Sequence, residues 1–343
     1  MKKTWIRVAL IVLVMAVFLF LSFRKVNWAD AYRFGVRISL PALFLVLALT
    51  PLHILTRSLR WKYLLIHEKR DVKLRNLLSA TAIGFAVSYV LPGRVGEIVR
   101  PLYLARKENV RPGFVIGTVV VERIFDIITM CALLGIFLLA RPLVAADFLI
   151  KPEAAKILNL WGLIGVASSV VLMTLCLLFY FFREKAVGLA SRVLKPFLPA
   201  RFLEKVRTLL HEFIDGLKFF HSLGTMLIYI GLSFVVWLGI ILFYWVFFRA
   251  YGLSLPYVLL IPYIFITGVV ASIPTPGMVG GFHYFSILGL TTLFGIEANQ
   301  AAGLTIVVHA LQLVVTCLLG YAILWKEGLS VFQLRKFGET IKP

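Results

Sequence analysis

Residues 77–104 read LLSATAIGFAVSYVLPGRVGEIVRPLYL, an apolar stretch that the segment PGRVGE at 92–97 interrupts. A second apolar stretch, residues 256–295, is interrupted in the same way by PTPGMVGG at 274–281. Proline removes a backbone donor and glycine loosens the turn, so one straight helix cannot pass through either segment. Broken backbone at membrane depth is tolerated where protein or a wet cavity covers it. Two interpretations stay open: kinked spans or short loops between helices, and two re-entrant hairpins.

The rest of the chain has the composition of a membrane protein. Of its 343 residues 61% are hydrophobic and 15% are charged, whereas a soluble domain carries about a quarter charged residues. A membrane span takes about 20 apolar residues, and six runs reach or approach this length: Trp5–Phe23, Ile38–Thr56, Val115–Ala140, Leu158–Phe182, Met226–Phe248 and Ala301–Trp325. The first run is too long for a signal peptide and is followed by Arg24-Lys25, so we expect a retained signal anchor. The sequence therefore predicts an all-α polytopic membrane protein, residues 1–343 forming a single transmembrane domain.

The charges in the loops predict the topology. The chain carries 36 Lys and Arg against 16 Asp and Glu, an excess that short cytoplasmic loops explain without any nucleic-acid partner. The segments Arg57–Arg75 and Arg183–His221 hold seven and eight cations, whereas Arg141–Ile157 holds three and Arg249–Pro256 holds one. We therefore place the first pair of segments in the cytoplasm and the second pair outside. Both termini, including a basic tail at 326–343, are then cytoplasmic, and the membrane is expected to be the inner membrane of the cell. The loop Arg24–Arg37, with four cations, then lies outside against the rule.

This topology predicts an inverted repeat. Each half of the chain is a span, a broken hairpin and a span, in opposite orientations, which is the arrangement that points to a transport site near the bilayer midplane. Between the halves, apolar residues recur at helical spacing over residues 201–220, which predicts an amphipathic helix. It would lie on the inner leaflet or, alternatively, pack beneath the bundle.

Ionisable residues within spans raise functional hypotheses because they are expensive there. Arg94 and Glu97 flank Gly96 in the first break, and Arg100 lies one turn further on. A helix that begins at Gly96 would direct free N–H groups into a cavity beside the Arg94 guanidinium, which suits a phosphate headgroup. The alternative is that Arg94 and Glu97 only neutralise each other.

The remaining polar candidates lie near other breaks and interfaces. Glu122 and Asp126 share a helix face and could hold a coupling cation or a proton, or could pair with Arg94, Arg100 or Arg123. The sequence contains no phosphate-binding glycine loop, no His-Glu-x-x-His and no Gly-x-Ser-x-Gly motif, so we expect no resident cofactor or metal and no catalytic residue. Interfacial lipid contacts are expected from Arg57, Arg60 and Trp61. His283 follows the second break and is counted among the substrate-binding residues; there it could titrate or merely hydrogen-bond a freed carbonyl.

The motifs together resemble one family. They are Arg57-x-x-Arg60-Trp61, then Gly84-Phe85 leading to Pro92-x-Arg94-x-Gly96-Glu97-x-x-Arg100, then Val121-Glu122-Arg123-x-x-Asp126, and Pro274-x-Pro276-Gly277-x-x-Gly280. In this order they look like the flippase-like integral membrane family, that of the transmembrane region of lysylphosphatidylglycerol synthase, over residues 5–325.

The resemblance implies translocation of lipids with anionic or modified headgroups, including polyprenyl-phosphate-linked lipids. The family has a polar site at its broken helices. By the matching positions of the second, third and fourth motifs, the resemblance implies that this site is formed here by Pro92, Arg94, Gly96, Glu97, Glu122, Arg123, Asp126, Pro274, Pro276, Gly277 and Gly280. One departure concerns coupling, because His283-Tyr284 stands near the place where the family usually has an acidic residue. The aminoacyl-transfer domain of bifunctional relatives is not expected in this chain.

The sequence therefore favours a lipid translocase, with a phosphate bound by Arg94 and helix N-termini. Two other classes stay open: a membrane-embedded lipid-modifying transferase using Glu97 and Glu122, and a scaffold without transport for a separately encoded glycosyltransferase. Association of the chain with further copies of itself, as a homo-oligomer, is left open as well.

The topology gives the first testable prediction. In a background lacking Cys131, Cys176 and Cys317, single cysteines placed in Arg141–Ile157 or Arg249–Pro256 should react with an impermeant thiol reagent added outside. Cysteines in Arg57–Arg75 or Arg183–His221 should not react. Labelling of Arg249–Pro256 only from the cytoplasm would contradict the inverted repeat.

Overall fold

The computed structural model describes residues 2–91, 94–144, 152–270 and 275–329, and all regular structure within these ranges is helical. The α-helices are α1 Lys2–Phe23, α2 Trp28–Gly35, α3 Leu40–Leu65, α4 Leu74–Val90, α5 Gly96–Glu108, α6 Pro112–Val144, α7 Pro152–Leu194, α8 Ala200–Gly216, α9 Leu223–Ala250, α10 Leu260–Val270, α11 Gly281–Phe294 and α12 Ala298–Lys326. Short 3₁₀ turns occupy Leu217–His221, Tyr257–Leu259 and Pro276–Met278. The predicted all-α class is confirmed.

Six stretches are long and apolar enough to cross a bilayer. They are Leu40–Leu65, Pro112–Ala140, Asn159–Leu194, Leu223–Ala250, Pro276–Phe294 and Ala298–Lys326. Five of them overlap predicted spans, and the chain is a multi-pass membrane protein. The predicted first span lies in α1, of which Ala9–Phe23 is joined to α2 by a bend of 88°. Part of the expected loop at 24–37 is therefore helical.

Both interrupted stretches are split into two helices, as the prolines and glycines require. The first is α4 and α5, and α5 begins at Gly96 as expected. The second is α10 and α11, with the 3₁₀ turn Pro276–Met278 before α11. Pro92 and Pro274 lie outside the described residues, as do residues 330–343 of the predicted tail. How the hairpins sit in the bilayer, and the inverted repeat itself, stay predictions.

The backbone at the breaks has the left-handed conformation that favours glycine. Gly277 and Gly280 have φ of 55° and 87°, and each approaches other backbone closely: a Cβ on Gly277 would lie 3.0 Å from the Tyr89 carbonyl oxygen. Both glycines thus combine a positive φ with a close approach of other backbone, and a side chain would be strained at either position. Two non-glycine residues, Arg94 at φ 54° and Met278 at φ 59°, adopt the same conformation.

Polar contacts join the two ends of the first hairpin. The Glu108 carboxylate, at the end of α5, accepts hydrogen bonds from the Lys73 backbone N–H and the Asn76 amide at the start of α4. It also pairs with Lys69 at 2.9 Å, and this hydrogen bond raises the pKa of the Lys69 ammonium. The chain thus returns at the end of α5 to the level at which α4 begins.

The loops are grouped in space as their charges predict. Ion pairs join Glu68 to Arg111, Arg111 to Asp215 and Lys107 to Glu327, so the basic loops and the end of α12 share one end of the molecule. At other positions, the Tyr251 hydroxyl donates to the Gly35 carbonyl oxygen, and the Asn27 N–H donates to the Asn299 side chain. Segments that were assigned to the outside are therefore neighbours as well. Which group faces the cytoplasm stays a prediction.

Tight packing of the central helices places the two breaks beside each other. Helix α3 packs on α9, α4 packs on α12, and the 3₁₀ turn of the second break packs on α4. One buried core surrounds α4 and α5, and another surrounds α10 and α11. The space between the two cores is where the candidate site lies.

The predicted amphipathic helix is observed as α8 followed by the turn Leu217–His221. It packs against α6, where a Cβ on Gly117 would collide with the Glu212 backbone. Phe202 and Leu209 on α8 remain exposed, at 58% and 54%. One side of α8 therefore packs on the bundle, and its placement on the inner leaflet stays a prediction.

Gly96 tests the close crossing of α4 and α5. A Cβ on Gly96 would collide with the Gly84 carbonyl oxygen and the Ser88 hydroxyl. We expect Gly96→Ala to cost about 1–3 kcal/mol through overpacking, measured as a lower midpoint of thermal unfolding in detergent. Gly231→Ala on α9 is the matched control, because nothing lies within 4 Å of its Cβ position. Equal midpoints for both variants would contradict the tight crossing.

Candidate functional site

A cluster of arginines and carboxylates is buried where α3, α5 and α6 meet. Its carboxylates, Glu122 and Asp126, lie one turn apart on α6 and are 0% and 6% exposed. Four guanidinium groups surround them: Arg57 and Arg60 from α3, Arg100 from α5 and Arg123 from α6. We call these six residues the arginine–carboxylate cluster.

Glu122 is held from three helices. Arg100 binds it with both terminal nitrogens, each 3.0 Å from a carboxylate oxygen, in the bidentate geometry that makes such pairs strong. Arg123 donates to it at 3.0 Å and Arg57 at 3.2 Å. Because Glu122 has no contact with solvent, these donors replace its hydration.

Asp126 has an equally complete set of donors. Arg60 approaches it at 2.7 Å and Arg57 at 3.2 Å. The indole N–H of Trp237 donates to it at 3.2 Å, which brings α9 of the second half into the cluster. The two acids are therefore used in pairing with arginines, which was one of the two alternatives open from the sequence. Among the described residues, no group of three or more His, Cys, Asp or Glu is placed to hold a metal ion.

Aromatic packing fixes the cluster from behind. The Arg100 guanidinium lies 4.0 Å from the centre of the Trp61 ring, a cation–π contact. Trp61 in turn donates from its indole N–H to the Thr118 hydroxyl at 3.0 Å. This support keeps Arg100 aligned with Glu122 and ties α3 to α6.

Arg94 and Glu97 form a separate, looser pair at the first break. Their closest atoms are 3.5 Å apart, at the limit of a hydrogen bond, and their side chains are 28% and 35% exposed. The two side chains do pair, as expected if Arg94 and Glu97 only neutralise each other. Such a weak contact nevertheless leaves the Arg94 guanidinium free to bind another anion.

A cavity of about 280 Å³ adjoins both the cluster and the loose pair. It is lined by residues from both halves of the chain, including the ends of α4 and α5, the second break, and α3, α6, α9, α10 and α12. The charged and polar side chains on its wall are Thr50, His53, Arg57, Ser88, Tyr89, Arg94, Glu97, Arg123, Trp237, Tyr244, Thr267, Thr275, Gln312 and Thr316. The two breaks thus face one shared cavity.

Charge at this site does not balance. The cluster and the loose pair together contain five arginines and three carboxylates. Each arginine contacts a carboxylate, but the carboxylates are shared, so the site keeps a net charge of +2 in a mostly buried environment, where uncompensated charge is costly. The arrangement is suited to binding an anion from the cavity.

The predicted site residues fall into distinct groups. Arg94, Glu97, Arg123 and Gly277 line the cavity, whereas Arg100, Glu122 and Asp126 lie behind its wall in the cluster. Of the others, Gly96 packs between α4 and α5, Pro276 begins the 3₁₀ turn, and Gly280 packs against Met15 of α1. Sequence reasoning thus found most of the charged residues, but the structure divides them into lining and supporting sets.

The interfacial role expected for Arg57, Arg60 and Trp61 is wrong for two of them and changed for the third. Arg60 and Trp61 are 0% exposed and are used entirely in the cluster and its support. Arg57 is 6% exposed and lines the cavity. The helical face they share turns inward, where the carboxylates on α6 pair with both arginines and so compensate their buried charges.

His283 does not line the cavity, contrary to its inclusion among the binding residues. Its ring packs against that of His309, with the centres 4.8 Å apart, and against Phe23. The histidine that bonds a carbonyl freed at the second break is His309, whose Nε2 lies 2.7 Å from the Gly277 oxygen. The sequence thus suggested His283 for the hydrogen bond to a freed carbonyl, whereas His309, which packs against it, makes this bond.

Sequence reasoning missed two cavity residues that hydrogen-bond to the cluster. His53 accepts a hydrogen bond at Nε2 from Arg57 Nε at 3.0 Å, and Trp237 binds Asp126 as described above. His53 lies four residues before Arg57 on α3, so the helical spacing was a usable signal. No sequence signal connects Trp237 on α9 with the carboxylates on α6.

The fold and site together define a polytopic all-helical membrane protein with a cavity, lined by three arginines, between two broken helices. Residues 5–320 match the profile of a family described as the lysylphosphatidylglycerol synthase TM region, and the chain belongs to this family. The match confirms the resemblance seen in the motifs and connects the protein with membrane lipids. No curated protein and no solved structure matches the chain.

Asp126 tests the energetic importance of the cluster. Removing one partner of a buried pair leaves the other charge uncompensated, so Asp126→Asn should destabilise the protein by about 3–5 kcal/mol. Glu97→Gln, which breaks the partly exposed pair with Arg94, should cost less than about 1 kcal/mol. Thermal unfolding of purified protein in one detergent measures both. A stability loss that is similar for the two variants would contradict the assignment.

Proposed function

We propose that the protein is a lipid translocase that moves a lipid with an anionic or phosphate-containing headgroup between the leaflets. The headgroup occupies the central cavity while the acyl or prenyl tails remain in the bilayer. The observation that carries this proposal is the surplus of positive charge beside a cavity that both broken helices line.

The physical task is to lower the cost of taking a charged headgroup through the hydrocarbon core, where a single charge costs several kcal/mol or more. Guanidinium groups suit this task because each offers a planar fork of donors that replaces the hydration of a phosphate. Arg57, Arg94 and Arg123 reach the cavity from three different elements. A phosphate in the cavity would replace its hydrogen bonds to water with hydrogen bonds from these guanidinium groups.

The cluster behind the wall supplies rigidity for this exchange. Arg60 and Arg100 keep Glu122 and Asp126 in place, and these acids in turn fix one face of Arg57 and Arg123. The Arg94–Glu97 pair, at 3.5 Å, is the longest ion pair of the site. Arg94 and Met278, one at each break, also have left-handed backbone. Movement of the breaks about the fixed cluster would expose the cavity to one leaflet and then the other.

The proposal includes a location and excludes a chemical step. The protein would lie in the inner membrane with the basic loops and both termini in the cytoplasm, in line with the positive-inside rule. Translocation forms and breaks no covalent bond, so no catalytic residue is assigned. The lipid partner is an anionic phospholipid or a polyprenyl-phosphate lipid.

Purified protein in liposomes tests the function directly. A fluorescent anionic lipid placed in one leaflet should become accessible from the other faster than in liposomes without protein, and should be recovered chemically unchanged. Recovery of a modified lipid would favour the transferase alternative. Neither movement nor modification would favour a scaffold.

Arg94 gives the residue-level test of this function. Arg94→Ala should abolish translocation with little loss of folded protein, because the side chain is partly exposed and weakly paired. Arg94→Lys should restore only part of the rate, since an ammonium cannot form the bidentate fork.

Glu97→Gln is the matched control for this test. It breaks the same pair but keeps the guanidinium, so translocation should persist. If Glu97→Gln and Arg94→Ala lose translocation equally, Arg94 acts only through its pairing with Glu97.

A further inference from the structure

We infer that the cavity selects lipids whose headgroup carries two negative charges on a compact phosphate, as a phosphomonoester does, and that His53 is a recognition residue for it. The inference deepens the proposed function and rests on it in taking the ligand to be a lipid. It is carried by the number of charges at the cavity, by donors without acceptors and by the size of the cavity.

The number of charges sets the expected charge of the ligand. Glu122 and Asp126 neutralise two of the four arginines in the cluster, and Glu97 neutralises Arg94. A net charge of +2 remains. Arg57 and Arg123, which share the two carboxylates with Arg60 and Arg100, are the arginines of the cluster that also line the cavity, where an anion can reach them. A singly charged headgroup would leave one of these charges unpaired, and a zwitterionic headgroup would add an ammonium to a positive site.

Hydrogen-bond donors at the cavity support an anionic ligand independently. Because His53 Nε2 accepts from Arg57 Nε, its ring is neutral and its proton is on Nδ1. This Nδ1–H and the Arg123 Nε–H are buried, and neither has a hydrogen-bond partner among the described residues. Both residues line the cavity. Other donors without a partner, on Arg60 and Arg100, belong to residues behind the wall. Buried donors are normally satisfied, so the His53 and Arg123 donors at the cavity are the ones that an acceptor in the ligand would pair with.

The size of the cavity limits what carries the charge. A volume of about 280 Å³ is at the lower end of the range of about 300–1,000 Å³ for small-molecule pockets. A terminal phosphate fits within this space, whereas a headgroup with several sugars does not. Thr50, Ser88 and Thr275 offer hydroxyl groups on the wall to the remaining oxygens.

A pair of matched lipids tests the charge selection. Phosphatidic acid and phosphatidylmethanol with identical acyl chains differ by one methyl group and one negative charge when the phosphomonoester is fully ionised. At pH 8, well above a second phosphate pKa of about 6, phosphatidic acid should bind purified wild-type protein in nanodiscs about tenfold more tightly, the effect of one charge-assisted hydrogen bond. Equal affinities would overturn the inference.

Inorganic phosphate distinguishes a lipid headgroup from a free anion. As a competitor it should displace phosphatidic acid only at far higher concentration, because it lacks tails that stay in the bilayer. Displacement at concentrations equal to those of the lipid would assign the site to free phosphate and overturn the lipid selection.

Variants of opposite charge test the mechanism of selection. Arg123→Gln removes one of the two surplus charges, so the preference for phosphatidic acid over phosphatidylmethanol should fall to near onefold. Glu97→Gln adds a surplus charge and should keep or increase the preference. Arg249→Gln is the control for loss of an arginine, because Arg249 stacks on Trp245 at the end of α9 and does not line the cavity.

His53→Gln tests the recognition residue. Glutamine offers Arg57 an acceptor but lacks the ring N–H, so phosphatidic acid should bind about tenfold more weakly at unchanged thermal stability. Unchanged binding in this variant would remove His53 from the recognition set. Should Arg123→Gln not fold, the lipid pair with wild type and Glu97→Gln still decides the charge selection.

The results separate this inference from the function on which it rests. Selective binding of phosphatidic acid without movement in liposomes would support the selected headgroup and contradict a translocase. Movement of both lipids at equal rates with equal affinities would support the translocase and overturn the selection.

Discussion

The buried arginine–carboxylate cluster is the interaction on which the rest of the structure depends. Glu122 and Asp126 have almost no contact with solvent, so their charges have to be compensated within the protein. Compensation comes from arginines on three helices and from the indole of Trp237, which belongs to the second half of the chain. The same contacts that satisfy the acids therefore fix the relative positions of α3, α5, α6 and α9, and with them the wall of the cavity.

The two breaks acquire their role from this fixed wall. Helix α4 cannot continue into α5, and the close crossing at Gly84 and Gly96 returns the chain toward the basic loops, where Glu108 joins the two ends. The second break reaches the same cavity from the other half and is held by the hydrogen bond between His309 and Gly277. The described irregular backbone, at Arg94 and at residues 275–280, is thereby covered by protein or lies at the cavity, as a membrane requires.

Surplus positive charge gives the site its chemical character. If the cluster were a purely structural device, equal numbers of arginines and carboxylates would be the cheapest arrangement, because unpaired buried charge destabilises. The excess is on the side of the cavity, at Arg57 and Arg123, beside buried donors that lack partners among the described residues. Uncompensated charge beside a cavity is typical of binding sites, and it supports the proposed anionic headgroup in a member of a lipid-related family.

The sequence by itself determined the helical membrane class, most of the span positions, both breaks and the family, because these depend on local composition and backbone chemistry. It also identified Arg94, Glu97, Arg100, Glu122, Arg123 and Asp126 as polar residues in costly positions. Only the tertiary structure decided that Arg60 and Trp61 face inward, that His309 rather than His283 bonds the second break, and that His53 lines the cavity. The physical reason is that pairing and burial depend on which helices meet. The helical pattern in a sequence indicates the face on which a residue lies, but it does not indicate which helix packs against that face.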